Sequence, residues 1–308
     1  MKHIRLVGAA TAAALGIVGL AGCGSGGGSS RIGGAAKSES AAPPSAKAGG
    51  TKAGQSLSDT LALVTKSTKG ANSARVSMVE KLGSAGSIKA SGVTAWNPMA
   101  MDITMDMSGI QGAAQSGLDT MKLRMTGNVM YMNMGAQLAK ELDGKHWLRM
   151  DLSELAKTQG AAGQQLLSRL GNQNGSQDPT QSVGLLTSSG DVKEVGKETL
   201  DGVLTTHYSG RLDVAALVAE QGTLKGMTAS QREQFQQQMS AAGVKTMAVD
   251  LWVNPDNRPV KVHETAQGAT GPIDIVLTYS DYGTPVHVQA PPASDTEDYA
   301  KVLAKTSS

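Results

Sequence analysis

Residues 99 to 107 read MAMDITMDM, with Met99, Met101, Ile103, Met105 and Met107 alternating with Ala100, Asp102, Thr104 and Asp106. Successive strand residues point to opposite faces, so this run predicts a strand with one apolar side and one mostly polar side. The same period continues in TMKLRMTG, which places Met121, Leu123 and Met125 opposite Lys122 and Arg124, and in NVMYMNM, which aligns Met130, Met132 and Met134. Gly127 and Asn128, between those two runs, are a hairpin dipeptide candidate. Period-two runs also cover SARVSMVEKL and SIKASGVTAW upstream, and residues 145–151, 191–200, 203–210, 246–253, 258–266 and 273–283 downstream. Asp201-Gly202 and the NPDNRP segment (Asn254 to Pro259) supply the turn chemistry between neighbouring runs, so strands adjacent in sequence are expected to pair antiparallel. About eleven strands follow.

Helical signals are fewer. SLSDTLALVTKSTKG sets Leu57, Leu61 and Val64 at i, i+4, i+7 and stops at Gly70. DLSELAKTQGAAGQQLLSRLG opens with Asp151 three residues before Glu154, and TASQREQFQQQMSAAG repeats that spacing with Thr228 and Gln231, aligns Phe235 with Met239 and ends at Gly243; both are capping-box spacings. Each helix has one narrow apolar stripe, enough to cover a sheet but not to form a core alone. The fold class expected is α+β, an antiparallel sheet with helices packed on one face.

The N-terminal end changes the picture. Lys2 and Arg5 precede an uncharged run from Leu6 to Ala21, the layout of a secretory signal rather than of a mature membrane span. The run ends at Leu20-Ala21-Gly22-Cys23, which resembles the lipobox of bacterial lipoproteins. The resemblance implies a signal peptide over 1–22, removed before Cys23, and a diacylglycerol on the Cys23 thiol. At roughly 0.8 kcal/mol per buried CH₂, two or three acyl chains anchor a protein stably. Cys23 is the sole cysteine, so no disulfide framework is available. Residues 24–55 hold almost no large apolar side chain and form a tether, with a typical span on the order of 30 Å for a Gly/Ser-rich coil of this length. Residues 56–308 are read as one domain. This places the protein at the outer face of the cell membrane.

Charge and chemistry mostly exclude. Apart from Lys2 and Arg5, 26 cations face 26 acidic residues, which leaves no basic footprint for nucleic acid. His146, His207, His263 and His287 each stand alone in a strand-like run, and Asp102, Asp106 and Asp250 alternate out of phase with the apolar positions. No nucleophile, paired carboxylates or metal motif emerges, and the reading is of a protein that is not an enzyme and holds no cofactor or metal.

Three readings of the methionines stay open. They are core filler, because Met adapts to irregular gaps; or thioether ligands for a soft metal such as Cu(I); or the lining of a cavity that adapts to flexible apolar guests. One Phe, five Tyr and three Trp leave a large sheet short of the rings that usually fill the space under helices, which makes an apolar hollow the reading to test.

DLWVNPDNRPVKV (Asp250 to Val262) is similar to a hairpin of the LppX/LprG group of mycobacterial-type lipoproteins and of the related LolA lipoprotein carriers. Gly196 to Gly210, His146 to Ser153 and Tyr279 to Ala293 resemble further segments of actinobacterial members. The resemblance implies a LolA-like half-barrel, a curved antiparallel sheet wrapped around a few helices, with an apolar cavity for acyl chains. Such proteins carry lipids or lipoproteins through the cell envelope or display them, so bound lipid and an envelope transporter are the partners implied. The candidate lining is Met99, Met101, Ile103, Met105, Met107, Met121, Leu123, Met125, Met130, Met132 and Met134. Phe235 and Met239 lie on a helix read either as a lid or as an ordinary packing helix. The rival reading is an interaction lipoprotein with a filled interior and no ligand.

Overall fold

The computed structural model describes residues 56–133, 135–158, 179–189, 191–214 and 229–306. The signal segment, Cys23, the tether, Met134, Thr228 and the part of the Asp151 helix beyond residue 158 lie outside them. Helix α1 (Leu57–Ala71) is set by a capping box in which the Ser56 hydroxyl accepts from the Asp59 amide and the Asp59 carboxylate accepts from the Ser56 amide. It runs one residue past Gly70 and stops where Asn72 turns left-handed, at φ 63°. The i, i+4, i+7 stripe does what its spacing requires: Leu61 and Val64 are fully buried.

Six strands follow, β1 (Ser73–Leu82), β2 (Ser87–Trp96), β3 (Met99–Asp106), β4 (Thr120–Thr126), β5 (Val129–Asn133) and β6 (Trp147–Asp151), with a one-turn helix α2 (Ala136–Ala139) between the last two. After α3 (Leu152–Thr158) and α4 (Pro179–Ser188) come β7 (Lys193–Leu200), β8 (Val203–Asp213), α5 (Ala229–Ala241), β9 (Thr246–Val253), β10 (Pro259–Gly268) and β11 (Gly271–Ser280). The chain ends its described part with β12 (Thr296–Asp298) and α6 (Tyr299–Thr306).

All twelve strands form one sheet in the order β12-β6-β5-β4-β3-β2-β1-β11-β10-β9-β8-β7. Two antiparallel meanders, β1 to β6 and β7 to β11, are joined by antiparallel pairing of β1 with β11. The sheet is open and curved, the half-barrel expected, with helices against it. The expected strand count falls one short, because β12 pairs parallel to β6 over only three residues and carries no legible period. Turn chemistry holds where it was read: Asp201 and Gly202 both take positive φ, 48° and 81°, as a two-residue hairpin requires. At the other turn, the Asn254 side chain accepts from the amides of Asp256 and Arg258. The Asp151 cap also forms, its carboxylate accepting from the amides of Ser153 and Glu154.

Two glycines let elements approach closely. A Cβ on Gly92 of β2 would stand 2.0 Å from the Asp102 carbonyl oxygen of β3. One on Gly210 of β8 would meet the Leu186 side chain of α4 at 2.8 Å. Helix α4 lies over β8, β9 and β10, with α1 packed against it. At the free edge the β7–β8 hairpin exposes Val195, Val203 and Leu204.

Candidate functional site

The methionines meet across the strands in register. Met105 pairs with Ala90 and Met121; Ile103 pairs with Gly92 and Leu123, and Leu123 in turn with Met132, which faces Leu148. A third row runs Thr94, Met101, Met125, Met130, Met150. Directly paired residues share a face, so β2 to β6 present an apolar surface built mainly of thioethers. Met101, Met105 and Met121 are 2% exposed and Ile103 0%; Met107, Met125, Met130 and Met132 are also buried, whereas Met99 and Leu123 remain partly exposed. Of the two candidates on α5, Met239 sits in a separate smaller cluster with Leu82, Val214, Val244 and Ile273, and Phe235 packs against both clusters. The helix therefore bridges the two apolar groups rather than lying among the thioether rows.

The same face continues through β1 and β11 to β8 with different chemistry. Tyr208, Leu212, Val249, Leu251, Val262, Leu277 and Tyr279 are buried there, with Val183 and Leu186 of α4 and Leu61 and Val64 of α1 in the same core. Two carboxylates break the apolar surface. Glu80 follows Val76 and Met78 in phase along β1 and is 4% exposed; Glu264 follows Val262 in phase along β10. Both pair with Ile275 of β11, one from each side, so the three share a row. Glu264 keeps part of its surface accessible, but its carboxyl is enclosed. It accepts from the Ser182 hydroxyl of α4 at 2.9 Å. Burial, with the Glu264 charge added, pushes the Glu80 carboxyl from 4.5 up to about 7. Burial pushes Glu264 up as well, against the Ser182 hydrogen bond and the His263 charge. Among the described residues neither glutamate enters an ion pair.

Neither was singled out in the sequence, although the signal was there: each occupies an apolar phase of a strand.

The opposite face is polar and paired. Asp102 bonds Arg124 at 3.0 Å, and Asp106 accepts from the Ser108 hydroxyl at 2.6 Å. Three of the four histidines that looked solitary gain carboxylates in space, His146 meeting Asp295 at 2.7 Å, His207 meeting Asp250 at 2.8 Å and His263 meeting Asp274 at 3.3 Å, while His287 stays exposed. His207 also stacks on Trp252, whose indole donates to Glu198. Where β12 runs beside β6, an open groove of about 330 Å³ is lined by Tyr131, Lys145, Arg149 and Glu297 among others. Two of its cations are matched, Lys145 to Glu297 at 2.9 Å and Arg149 to Asp298 at 2.7 Å, and Lys301 also lines it. No group of three or more His, Cys, Asp or Glu among the described residues is placed to hold a metal ion. No helix among the described residues is long and apolar enough to cross a membrane.

No protein-family model matches the chain. A 31.2 kDa Streptomyces griseus protein encoded in the rplA-rplJ intergenic region is 38% identical over 245 residues, 78% of each chain. The Streptomyces coelicolor protein named "Putative lipoprotein SCO4650" is 30% identical over 254 residues, 81% of this chain and 78% of its own. The chain belongs to this actinobacterial lipoprotein family. Among solved structures, the Mycobacterium tuberculosis lipoprotein LppX matches 76% of this chain and 98% of its own at 17% identity, with a TM-score of 0.42. LppX is a member of the group that the Asp250 to Val262 hairpin resembles.

Proposed function

We propose that the protein is anchored by an acylated Cys23 to the outer face of the cell membrane and receives the acyl chains of a lipid against its thioether face. The observation that carries this reading is the set of in-register rows from β2 to β6, apolar and conformationally soft, on the inner side of an open sheet. Thioether side chains re-pack around guests of varied shape at little cost. At about 25 cal/mol per Å² of apolar area removed from water, enclosing two acyl tails competes with leaving them in a bilayer. Met99 and Leu123, the partly exposed members, are the first contacts for an entering chain, and α5, with Phe235 between the two apolar clusters, is the element whose displacement admits it. Carriage to or from an envelope transporter is the role this chemistry fits.

Native mass spectrometry of the full chain isolated from its own membranes tests the reading: the expected result is a co-purifying mass of one lipid. A ligand-free mass, together with no uptake of a fluorescent fatty acid, overturns it. Replacing Cys23 with Ala is expected to move the chain from the membrane pellet to the soluble fraction. A second reading, an interaction lipoprotein with a filled interior, is favoured by the burial of Met101, Ile103, Met105 and Met121; the same mass measurement separates the two.

A further inference from the structure

We infer that Glu80, Glu264 and Ser182 form a polar anchor inside the apolar face, built to take the ammonium head of a long-chain amphiphile. This rests on the lipid-binding reading and adds to it the chemistry of the head group. The row that contains the anchor runs Ile88, Glu80, Ile275, Glu264, Val249 across β2, β1, β11, β10 and β9. Glu80 is 4% exposed, and among the described residues no hydrogen-bond donor meets its carboxylate. Its neighbours Ile88, Ile275 and Glu264 all remain partly exposed. A largely buried acid without a protein donor thus stands beside partly exposed residues of the face. Leaving a buried carboxylate without a donor is costly, more so than leaving a neutral polar group unpaired, and a core position open to Val, Leu or Met gains nothing structural from Glu.

The second acid narrows the ligand. Glu264 lies one residue across from Glu80's row partner Ile275, and Ser182 occupies one of its oxygens. The remaining carboxylate oxygens are acceptors only when ionised. An ammonium group offers two or three donors and a positive charge, so it satisfies both acids and removes their mutual repulsion; a neutral alcohol offers one donor and removes none of it. The apolar rows on either side receive the tail.

Displacement of the neutral probe N-phenyl-1-naphthylamine from the purified full chain, by dodecylamine and by dodecanol, tests the anchor. Dodecylamine is expected to displace the probe at a concentration at least ten-fold lower than dodecanol, and Glu80→Gln to bring the two within two-fold. Glu264→Gln should reduce the preference in the same direction. Both variants remove charge from an apolar interior and are expected to fold. Equal displacement by the two amphiphiles in the parent chain, or a ten-fold preference that survives both substitutions, overturns the anchor while leaving lipid binding in place. A chain displaced by neither amphiphile overturns the lipid-binding reading and the anchor with it.

Discussion

The two ends of the inner face solve the same packing problem with different side chains. From β3 to β6 the rows are mostly thioethers, as in Met101, Met125 and Met130. From β8 to β11 they are branched and aromatic: Val249, Leu251 and Val262 are fully buried, and Tyr208 and Tyr279 are nearly so. β-Branched residues such as Val249 and Val262 are stiff at χ1 and hold one arrangement; methionine has three rotatable bonds and holds several. The branched end has α4 on it, with α1 packed against α4, and carries Glu264, with Glu80 on the adjoining β1. One continuous sheet thereby combines a specified end, which fixes the fold, with a soft end, which can accommodate.

That contrast can be broken at several points. The largest effect is expected from Leu251→Ala at the stiff end, about 2 to 5 kcal/mol of stability lost on the scale of buried leucine truncations. A denaturant titration that finds less than 1 kcal/mol would deny that this end specifies the fold. Next comes Glu80. Its folded value near 7 lies above the ordinary 4.5, so between those values the folded chain keeps a proton that the unfolded chain releases. The group's favourable contribution is complete below about pH 4.5 and is lost as pH rises through 7, by up to about 3 kcal/mol. Glu80→Gln should therefore be more stable than its parent at pH 8 by up to that amount and should flatten the slope between pH 5 and 8. Urea melts at the two pH values check this, and a parallel slope in both proteins refutes it. Gly92→Ala should cost about 1 to 3 kcal/mol, because the added Cβ falls on the Asp102 carbonyl and both strands must part; thermal unfolding reads the loss. The smallest change is expected at the soft end, where Met105→Leu should cost less than about 1.5 kcal/mol but slow the exchange of a bound fluorescent fatty acid. A loss as large as that of Leu251→Ala would erase the distinction.

The sheet was legible because alternation is a strong signal and the turn residues sat where the alternation paused. All eleven strands longer than three residues coincide with period-two runs, and Asp201-Gly202 and Asn254 make the turns their chemistry requires. Helix α4 escaped notice because PTQSVGLLTS has no charged stripe opposite its buried Val183 and Leu186. Strand β12 is too short to show a period. The acids escaped for another reason. A charged residue interrupts the apolar pattern rather than marking a site, although Val76, Met78, Glu80, Leu82 is one phase of one strand. His207 with Asp250 could not be read at all, since their proximity comes from pairing β8 with β9.

The three residues of β12 deserve a mechanical reading. By lying parallel along β6 they make the edge strand at that end of the sheet only three residues long, whereas at the other end the edge strand β7 runs for eight residues, with Val195, Val203 and Leu204 exposed on its hairpin. A long bare edge is a template for pairing with another chain, and a very short edge strand blunts it. The short segment β12 thus takes up part of β6, a strand that would otherwise stand at that edge along its whole length.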